Sequence, residues 1–149
     1  MALIDDLQPG PVALDTAVFI YFIEEDRRFL DIVKPVFTAI DRGVLEGATS
    51  GLTLLEVLVA PYRADNLPLA ERYEALLTRS RGLRLVDLDR PVLKSAALLR
   101  ARVRLKPPDA IQVAAALAAR CTAFLTNDRK IPAMPGLRIL QLRDYLHPG

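Results

Sequence analysis

The sequence predicts an α/β fold built around a mainly parallel sheet. Short apolar runs with the character of strands alternate with longer segments whose apolar residues recur at helical spacing. Strands that alternate with helices form βαβ units, and such units produce parallel sheets. No repeat or Gly/Ser linker divides the 149 residues, a length that favours a single domain over residues 1–149.

Five segments are predicted as strands because each is short and apolar, with turn signals nearby. The first follows the turn signal Pro9-Gly10-Pro11, and the fourth leads into the polar turn Thr126-Asn127-Asp128. The predicted strands cover residues 12–14, 47–49, 83–88, 123–125 and 137–140.

Six segments between these strands are predicted as helices. They cover residues 17–24, 29–40, 52–59, 69–79, 92–103 and 109–120. Asp15 and Ser50 are candidate N-caps, and Asp89 precedes a proline at another helix start. Pro61 is expected to end the third helix. The sixth helix is apolar on nearly all sides, so it should be buried between other elements.

The composition excludes several classes of site. The 20 Lys and Arg against 18 Asp and Glu leave a net charge of +2, too balanced for nucleic-acid binding through bulk positive charge alone. A single cysteine, Cys121, excludes an intramolecular disulfide and a cysteine zinc cage. A single histidine, His147, argues against a histidine-based triad or metal site. Catalysis would therefore depend on carboxylates, hydroxyls or basic side chains.

Neither a secretory signal nor a membrane span is expected. No basic residue precedes Arg27, and the apolar runs 17–23 and 110–119 are shorter than the roughly 20 residues that cross a bilayer. We therefore expect a soluble, cytoplasmic protein without membrane contact, and the lone Cys121 agrees with a reducing compartment.

Four acids fall where a parallel sheet or an apolar helix would bring them together. Asp15 follows the first strand and Asp128 the fourth, and ligands of parallel sheets bind at the carboxyl ends of strands. Asp109 lies in the first turn of the apolar sixth helix. Glu56 has apolar neighbours at helical spacing, so we expect it on an apolar face, where an acid needs a partner.

Each acid alone has a structural interpretation: a helix cap, a dipole partner, a turn residue or half of a surface ion pair. Together, carboxylates without histidine or cysteine suit hard cations such as Mg²⁺ and Mn²⁺, which prefer oxygen ligands. Sites with one or two such metals serve phosphodiester hydrolysis, because the metal activates water and stabilises the leaving oxygen. No general-base histidine is then required.

At these acids the sequence resembles the PIN-domain ribonucleases and, among them, the VapC-like toxins of bacterial toxin–antitoxin pairs. The order and length of the matching segments agree over nearly the whole chain, and the last two segments are the more specific. The segments are Val12-Ala13-Leu14-Asp15-Thr16, Thr53-Leu54-Leu55-Glu56-Val57, Pro108-Asp109-Ala110-Ile111-Gln112-Val113-Ala114-Ala115-Ala116 and Phe124-Leu125-Thr126-Asn127-Asp128.

The resemblance implies a three-layer α/β/α fold around a central, mainly parallel sheet of five strands. It implies a Mg²⁺- or Mn²⁺-dependent endoribonuclease that acts as the toxin of a VapBC-type pair and cuts single-stranded or structured RNA. The catalytic and metal-binding residues that it implies are Asp15, Glu56, Asp109 and Asp128.

The resemblance also assigns supporting roles to Thr16, Thr126 and Asn127. Thr126 corresponds to a small hydroxyl residue near the fourth acid, which would orient water or a ligand carboxylate. The sequence departs from the family at Ala17, where many relatives carry Ser or Asn. This departure puts the orientation of Asp15 in question.

The implied partners are RNA, a VapB-like antitoxin and a second copy of the chain in a homodimer. Candidate RNA-phosphate contacts near the acids are Arg104, Lys106, Arg129 and Lys130. The first two belong to an alternating basic run from Arg100, for which a solvated helix face is the alternative. An apolar group is expected in the core, or in part as an antitoxin groove, and comprises Phe19, Tyr21, Phe22 and Ile23.

Three other functions are alternatives. A signalling receiver domain would use Asp5 and Asp6 with Glu56 and Lys106, but the acidic pair precedes the first strand instead of ending it. A phosphatase with an aspartyl nucleophile needs a second Asp where this chain has Ala17. A non-catalytic PIN-like RNA-binding module would keep the fold without cleavage.

Overall fold

A parallel five-stranded sheet forms the centre of the molecule. The computed structural model describes residues 2–146, so His147 lies outside the described residues. All four pairings between neighbouring strands of this sheet are parallel, in the order β3-β2-β1-β4-β5. The strands are β1 (Val12–Leu14), β2 (Gly47–Ser50), β3 (Leu83–Val86), β4 (Ala123–Thr126) and β5 (Arg138–Gln141). The predicted α/β fold is confirmed, with a sheet that is parallel throughout rather than mainly.

Helices cover both faces of this sheet, which completes a three-layer α/β/α arrangement. Helices α1 to α5 contribute to one apolar cluster, and α6 and α7 contribute to the other. The helices are α1 (Leu3–Leu7), α2 (Thr16–Ile23), α3 (Leu30–Asp41), α4 (Gly51–Arg63), α5 (Leu67–Arg79), α6 (Arg90–Arg102) and α7 (Pro107–Ala118), with a short 3-10 helix over Leu142–Tyr145. No helix of residues 2–146 has the length and apolar character to cross a membrane.

The two clusters explain why the central strands are apolar on both faces. Side chains alternate along a strand, so Val12 and Leu14 enter the first cluster while Ala13 enters the second. Phe124 of β4 lies in the second cluster together with the small residues of α7. The prediction that this last helix is buried is confirmed, because most of its residues from Ala110 to Ala116 are inaccessible.

The aromatic group on α2 lies in the core or packs against it. Phe19 and Ile23 are buried, and the rings of Tyr21 and Phe22 stack on aromatic rings of the following segment. The core interpretation is therefore confirmed for Phe19 and Ile23, whereas Tyr21 and Phe22 are partly buried against the core. The antitoxin groove stays a prediction.

Several element boundaries differ from the prediction for local reasons. Pro61 does not end α4, which continues to Arg63, so this helix tolerates the one backbone hydrogen bond that a proline cannot donate. Strand β3 ends at Val86, and Leu88 lies outside it. Helix α1 has no predicted counterpart: its five residues are too few for a periodic pattern, although Leu3 and Leu7 are both buried.

Candidate metal and active site

The carboxyl ends of β1 and β4 bring the first and last predicted acids to one place. Leu14 pairs with Leu125 in the parallel register, so Asp15 and Thr126 follow side by side. The strand order reverses between β1 and β4, because the chain builds outward to β3 before β4 returns to the other side of β1. Such a reversal leaves a crevice at the strand ends, where ligands of open α/β sheets bind.

Asp15 is held at both carboxylate oxygens. As the N-cap of α2, it accepts a hydrogen bond at Oδ1 from the Thr16 backbone N–H at 2.8 Å. Its Oδ2 accepts from Thr126 Oγ1 at 2.6 Å. Burial raises the pKa of Asp15; these two hydrogen bonds oppose the rise, and the charges of Glu56 and Asp128 add to it. Ala17 has no side-chain hydroxyl or amide that could orient Asp15. The hydroxyl that contacts Asp15 comes instead from Thr126 on β4.

Thr126 also fixes the acid two residues after it. The same Thr126 Oγ1 accepts a hydrogen bond from the Asp128 backbone N–H at 2.9 Å. Asp128 Oδ1 in turn accepts from the Lys130 backbone N–H at 2.9 Å, which closes a tight turn around the acid. One fully buried hydroxyl therefore sets the positions of Asp15 and Asp128 relative to each other.

Asp109 reaches the same group from the first turn of α7. Burial first, and then the charge of Asp128 and a hydrogen bond shared with it, raise the pKa of Asp109 to about 6. The charge of Asp15 raises this pKa further, whereas Lys106 lowers it. The raised pKa of Asp109 therefore reflects its burial first and then the negative charges of Asp128 and Asp15.

Glu56 joins the group in a different way from the one predicted. The buried face of α4 consists of Thr53, Val57 and Pro61, and Glu56 itself is exposed, so it does not lie on a buried apolar face. Its partner is a hydroxyl: Thr16 Oγ1 donates to Glu56 Oε1 at 2.7 Å. Thr16 therefore supports Glu56 through its side chain and Asp15 through its backbone.

The donor chemistry of this group suits a hard divalent cation. Among residues 2–146, no three Asp, Glu, His or Cys side chains stand converged as a metal-binding group. The four carboxylates are linked instead by mutual repulsion, which contributes to the raised pKa values of Asp15 and Asp109. Carboxylate oxygens are the ligands that Mg²⁺ and Mn²⁺ prefer, and a bound cation would offset this repulsion.

Of two further predicted site residues, Lys106 lies near the acids, whereas Asn127 makes its hydrogen bonds elsewhere. Asn127 contacts none of the acids through its hydrogen bonds: its Nδ2 donates to the Tyr21 hydroxyl at 3.2 Å, and its Oδ1 accepts from the Arg143 N–H at 3.1 Å. Asn127 thus ties α2 to the segment after β5. Lys106 is exposed just before α7, near enough to Asp109 to act on its pKa.

The basic run from Arg100 does not form one continuous surface. Arg100 lies within α6 and its Nε donates to the Leu105 carbonyl at 3.1 Å, whereas Arg104 is exposed in the loop after the helix. After Asp128, Lys130 is exposed, and Arg129 Nη2 lies 3.8 Å from Asp144 Oδ1. Of these basic residues, Lys106 acts on the pKa of Asp109, and Lys130 contacts Asp128 through its backbone N–H.

Three buried polar side chains beneath the acids were not among the predicted site residues. Thr49, Thr53 and Gln112 are at most 4% exposed, and they are hydrogen-bonded to one another or to Thr16. A signal for them exists in the sequence. Thr53 and Gln112 lie three residues from Glu56 and Asp109 on their helices, a spacing that places the members of each pair on one face.

The receiver-domain alternative is inconsistent with this geometry. Receiver domains share the strand order 2-1-3-4-5 of the flavodoxin-like fold, and the order here is β3-β2-β1-β4-β5. Asp5 and Asp6 lie in α1, where Asp6 accepts a hydrogen bond from Tyr145, so they do not join the strand-end acids.

Comparison with known proteins agrees with the fold. The model of the PIN domain family matches residues 12–137 of this chain. A comparison with curated proteins found no match.

Solved structures similar to this chain include VapBC2 from Rickettsia felis bound to a DNA fragment of the promoter (TM-score 0.65, 17% identity, 87% of this chain and 97% of that one). DNA-bound VapBC from Salmonella typhimurium is also similar (TM-score 0.61, 22% identity, 88% of this chain and 97% of that one). A third is VapC20 from Mycobacterium tuberculosis, described as a sarcin-ricin loop cleaving toxin (TM-score 0.62, 14% identity, 76% of this chain and 87% of that one). At these identities the similarity shows a shared fold.

Proposed function

The chain belongs to the PIN domain family, and from this premise we propose that it is a metal-dependent endoribonuclease, the toxin of a VapBC-type toxin–antitoxin pair. The observation that carries the proposal is the meeting of Asp15, Asp109 and Asp128 at the carboxyl ends of β1 and β4, with Glu56 acting on Asp15 from α4. The negative charges of these acids repel one another, and a bound cation in a nuclease site would offset that repulsion.

In this proposal Asp15, Glu56, Asp109 and Asp128 hold Mg²⁺ or Mn²⁺. When bound, the metal ion activates water and offsets the charge that develops on the phosphate and the leaving oxygen. The chain's own residues orient the ligands: Thr126 holds Asp15 and the backbone of Asp128, as the hydrogen bonds above describe.

RNA would approach over the basic residues around this edge. Lys106 lies beside Asp109, and Lys130 and Arg104 are exposed with no ion pair among residues 2–146. The Arg129–Asp144 pair is exposed on both sides and worth about 0–1 kcal/mol, so a phosphate group can displace Asp144. We propose these four basic residues as phosphate contacts.

A VapB-like antitoxin and a homodimer complete the proposal. Two similar solved structures are VapBC assemblies, which supports an antitoxin as partner. The exposed large apolar side chains Leu55, Val59, Tyr62 and Leu67 lie on α4 and at the start of α5, and such residues are common at protein interfaces. The cytoplasmic location stays a prediction.

RNA cleavage by the purified chain tests the proposed function. We expect cleavage with Mg²⁺ or Mn²⁺, loss of cleavage with EDTA, and loss in Asp15→Asn and Asp109→Asn. Asp41→Asn, an exposed acid on α3, is the matched control and should keep full activity. Full cleavage by the Asp15→Asn and Asp109→Asn variants would remove the assignment of these acids. RNA binding without any cleavage by the wild type would favour the non-catalytic alternative.

A further inference from the structure

A buried polar network joins the sheet to Glu56. Thr49 Oγ1 on β2 donates to the Leu14 carbonyl at 2.8 Å and lies 2.8 Å from Thr53 Oγ1 on α4. Thr53 Oγ1 lies 3.2 Å from Thr16 Oγ1, which donates to Glu56 Oε1. The amide Nε2 of Gln112 on α7 lies 2.9 Å from Thr53 Oγ1 and 3.3 Å from Thr16 Oγ1.

The direction of each hydrogen bond follows from counting protons. A hydroxyl has one proton, and a carbonyl or an ionised carboxylate only accepts. The Thr49 hydroxyl donates its one hydrogen bond to the Leu14 carbonyl, so Thr53 must be the donor in the 2.8 Å contact between these two threonines. The Thr16 hydroxyl donates its one hydrogen bond to Glu56.

Thr53 and Thr16 therefore have no proton left for the 3.2 Å contact between their oxygens. Two acceptor oxygens this close, one fully buried on Thr53 and one partly buried on Thr16, need a donor from elsewhere, because an unsatisfied buried polar group is costly. The side-chain amide of Gln112 is the donor that reaches both of them. The same count fixes the amide orientation, since the Gln112 carbonyl oxygen in that place would add a third acceptor.

We propose that Gln112 is a positioning residue that acts on Glu56 through Thr16. Its amide group donates into two hydroxyl chains, one ending at the Leu14 carbonyl and one at the Glu56 carboxylate. By occupying Thr16 Oγ1 as a donor, Gln112 directs the single Thr16 proton outward to Glu56 and so fixes that carboxylate for a metal ion. This inference rests on the proposed function, in which Glu56 is a metal ligand.

A double-mutant cycle on Mn²⁺ affinity tests the coupling. Gln112→Met and Thr16→Val keep the approximate shapes of the side chains and remove the donor and the hydroxyl. Supporting residues around metal ligands typically contribute about 10- to 100-fold in metal affinity, so we expect each variant to raise the Mn²⁺ dissociation constant by about 10-fold or more. Because Gln112 acts through Thr16, the double variant should bind no more weakly than the weaker single variant.

Two controls separate positioning from damage to the fold. Thr16→Ser keeps the hydroxyl and should restore Mn²⁺ affinity to near the wild-type value. Thr122→Val removes a buried hydroxyl that has no hydrogen-bond partner among the described residues, and it should leave the affinity unchanged. Unchanged affinity in Gln112→Met, or effects of the two substitutions that multiply in the double variant, would overturn the proposal.

A measurement on the wild-type chain covers the case in which Gln112→Met fails to fold. The Gln112 side-chain amide protons should exchange with solvent much more slowly in NMR than those of the exposed Gln8, and equal rates would overturn the proposal. If the wild type neither binds Mn²⁺ nor cuts RNA, the proposed function fails and this inference with it. If the wild type binds Mn²⁺ and Gln112→Met binds equally well, only the inference fails.

Discussion

Thr126 Oγ1 donates a hydrogen bond to Asp15 Oδ2 at 2.6 Å. These two residues are 111 positions apart in the chain, and the parallel pairing of β1 with β4 brings them together. The same hydroxyl accepts from the Asp128 N–H, so a single buried oxygen links two of the four acids.

Removing this hydroxyl should impair the site while a serine should keep it. Thr126→Val leaves Asp15 Oδ2 and the Asp128 N–H without their shared partner, so we expect kcat/KM for RNA to fall by roughly 10- to 100-fold. Thr126→Ser retains the hydroxyl and should keep most of the activity. Denaturant unfolding of both variants checks the fold, and wild-type activity in Thr126→Val would contradict the role given to Thr126.

Asp109→Asn should stabilise the metal-free protein at neutral pH while abolishing cleavage. The carboxyl of Asp109 has a raised pKa of about 6 in the folded chain against an ordinary value of 3.8, so the folded state binds the proton more tightly. The free energy of unfolding therefore falls as pH rises from about 4 to about 6, and above this range the folded state bears the full cost of burying the Asp109 charge beside Asp128 and Asp15. The amide of the Asp109→Asn variant is uncharged throughout this pH range, so the variant avoids this loss of stability.

Melting temperatures at two pH values check this sign. With EDTA present, Asp109→Asn should melt several degrees above the wild type at about pH 7.5, with a much smaller difference at about pH 4. The site is partly exposed to water, which screens the repulsion and limits the gain. A variant less stable than the wild type at neutral pH would contradict the destabilising effect assigned to the Asp109 charge.

Divalent cations should stabilise the wild type against heat. A ligand that binds only the folded state adds about 2.7 kcal/mol at a concentration 100 times its dissociation constant. We expect Mn²⁺ to raise Tm, and to raise it more at about pH 7.5 than at about pH 5, where Asp109 retains its proton. Asp15→Asn should lose most of this rise, whereas Asp41→Asn should keep it; an equal rise in all three proteins would place the cation elsewhere.

Lys106→Ala should weaken RNA binding in a salt-dependent way. One lost phosphate contact reduces the slope of log K against log salt by about 1 and weakens binding to all RNA sequences alike. Lys94, exposed on α6, provides the matched control as Lys94→Ala. Fluorescence anisotropy with a labelled single-stranded RNA at several salt concentrations measures both, and identical slopes in the two variants would exclude Lys106 as a contact.

Local patterns explain how much of the fold was predictable. Strand and helix segments were found because periodicity and caps are properties of neighbouring residues, as with Ser50, whose hydroxyl accepts from the Leu52 N–H. Helix α1 is not predictable in this way, because its five residues carry too little periodicity. The apolar neighbours of Glu56 at helical spacing predict an apolar face, yet the buried stripe of α4 runs through Thr53 and Val57.

Local sequence patterns were sufficient to predict the order of strands and helices and the place of each acid at a strand end or within a helix. These features follow from local preferences and from side chains only a few positions apart. Three contacts follow only from the folded chain: Thr126 donates to Asp15, Thr16 donates to Glu56, and Gln112 donates to Thr16 across 96 positions. Such partners depend on strand order and helix packing, which no local pattern encodes, and a hydrogen bond forms only where that packing brings donor and acceptor within reach.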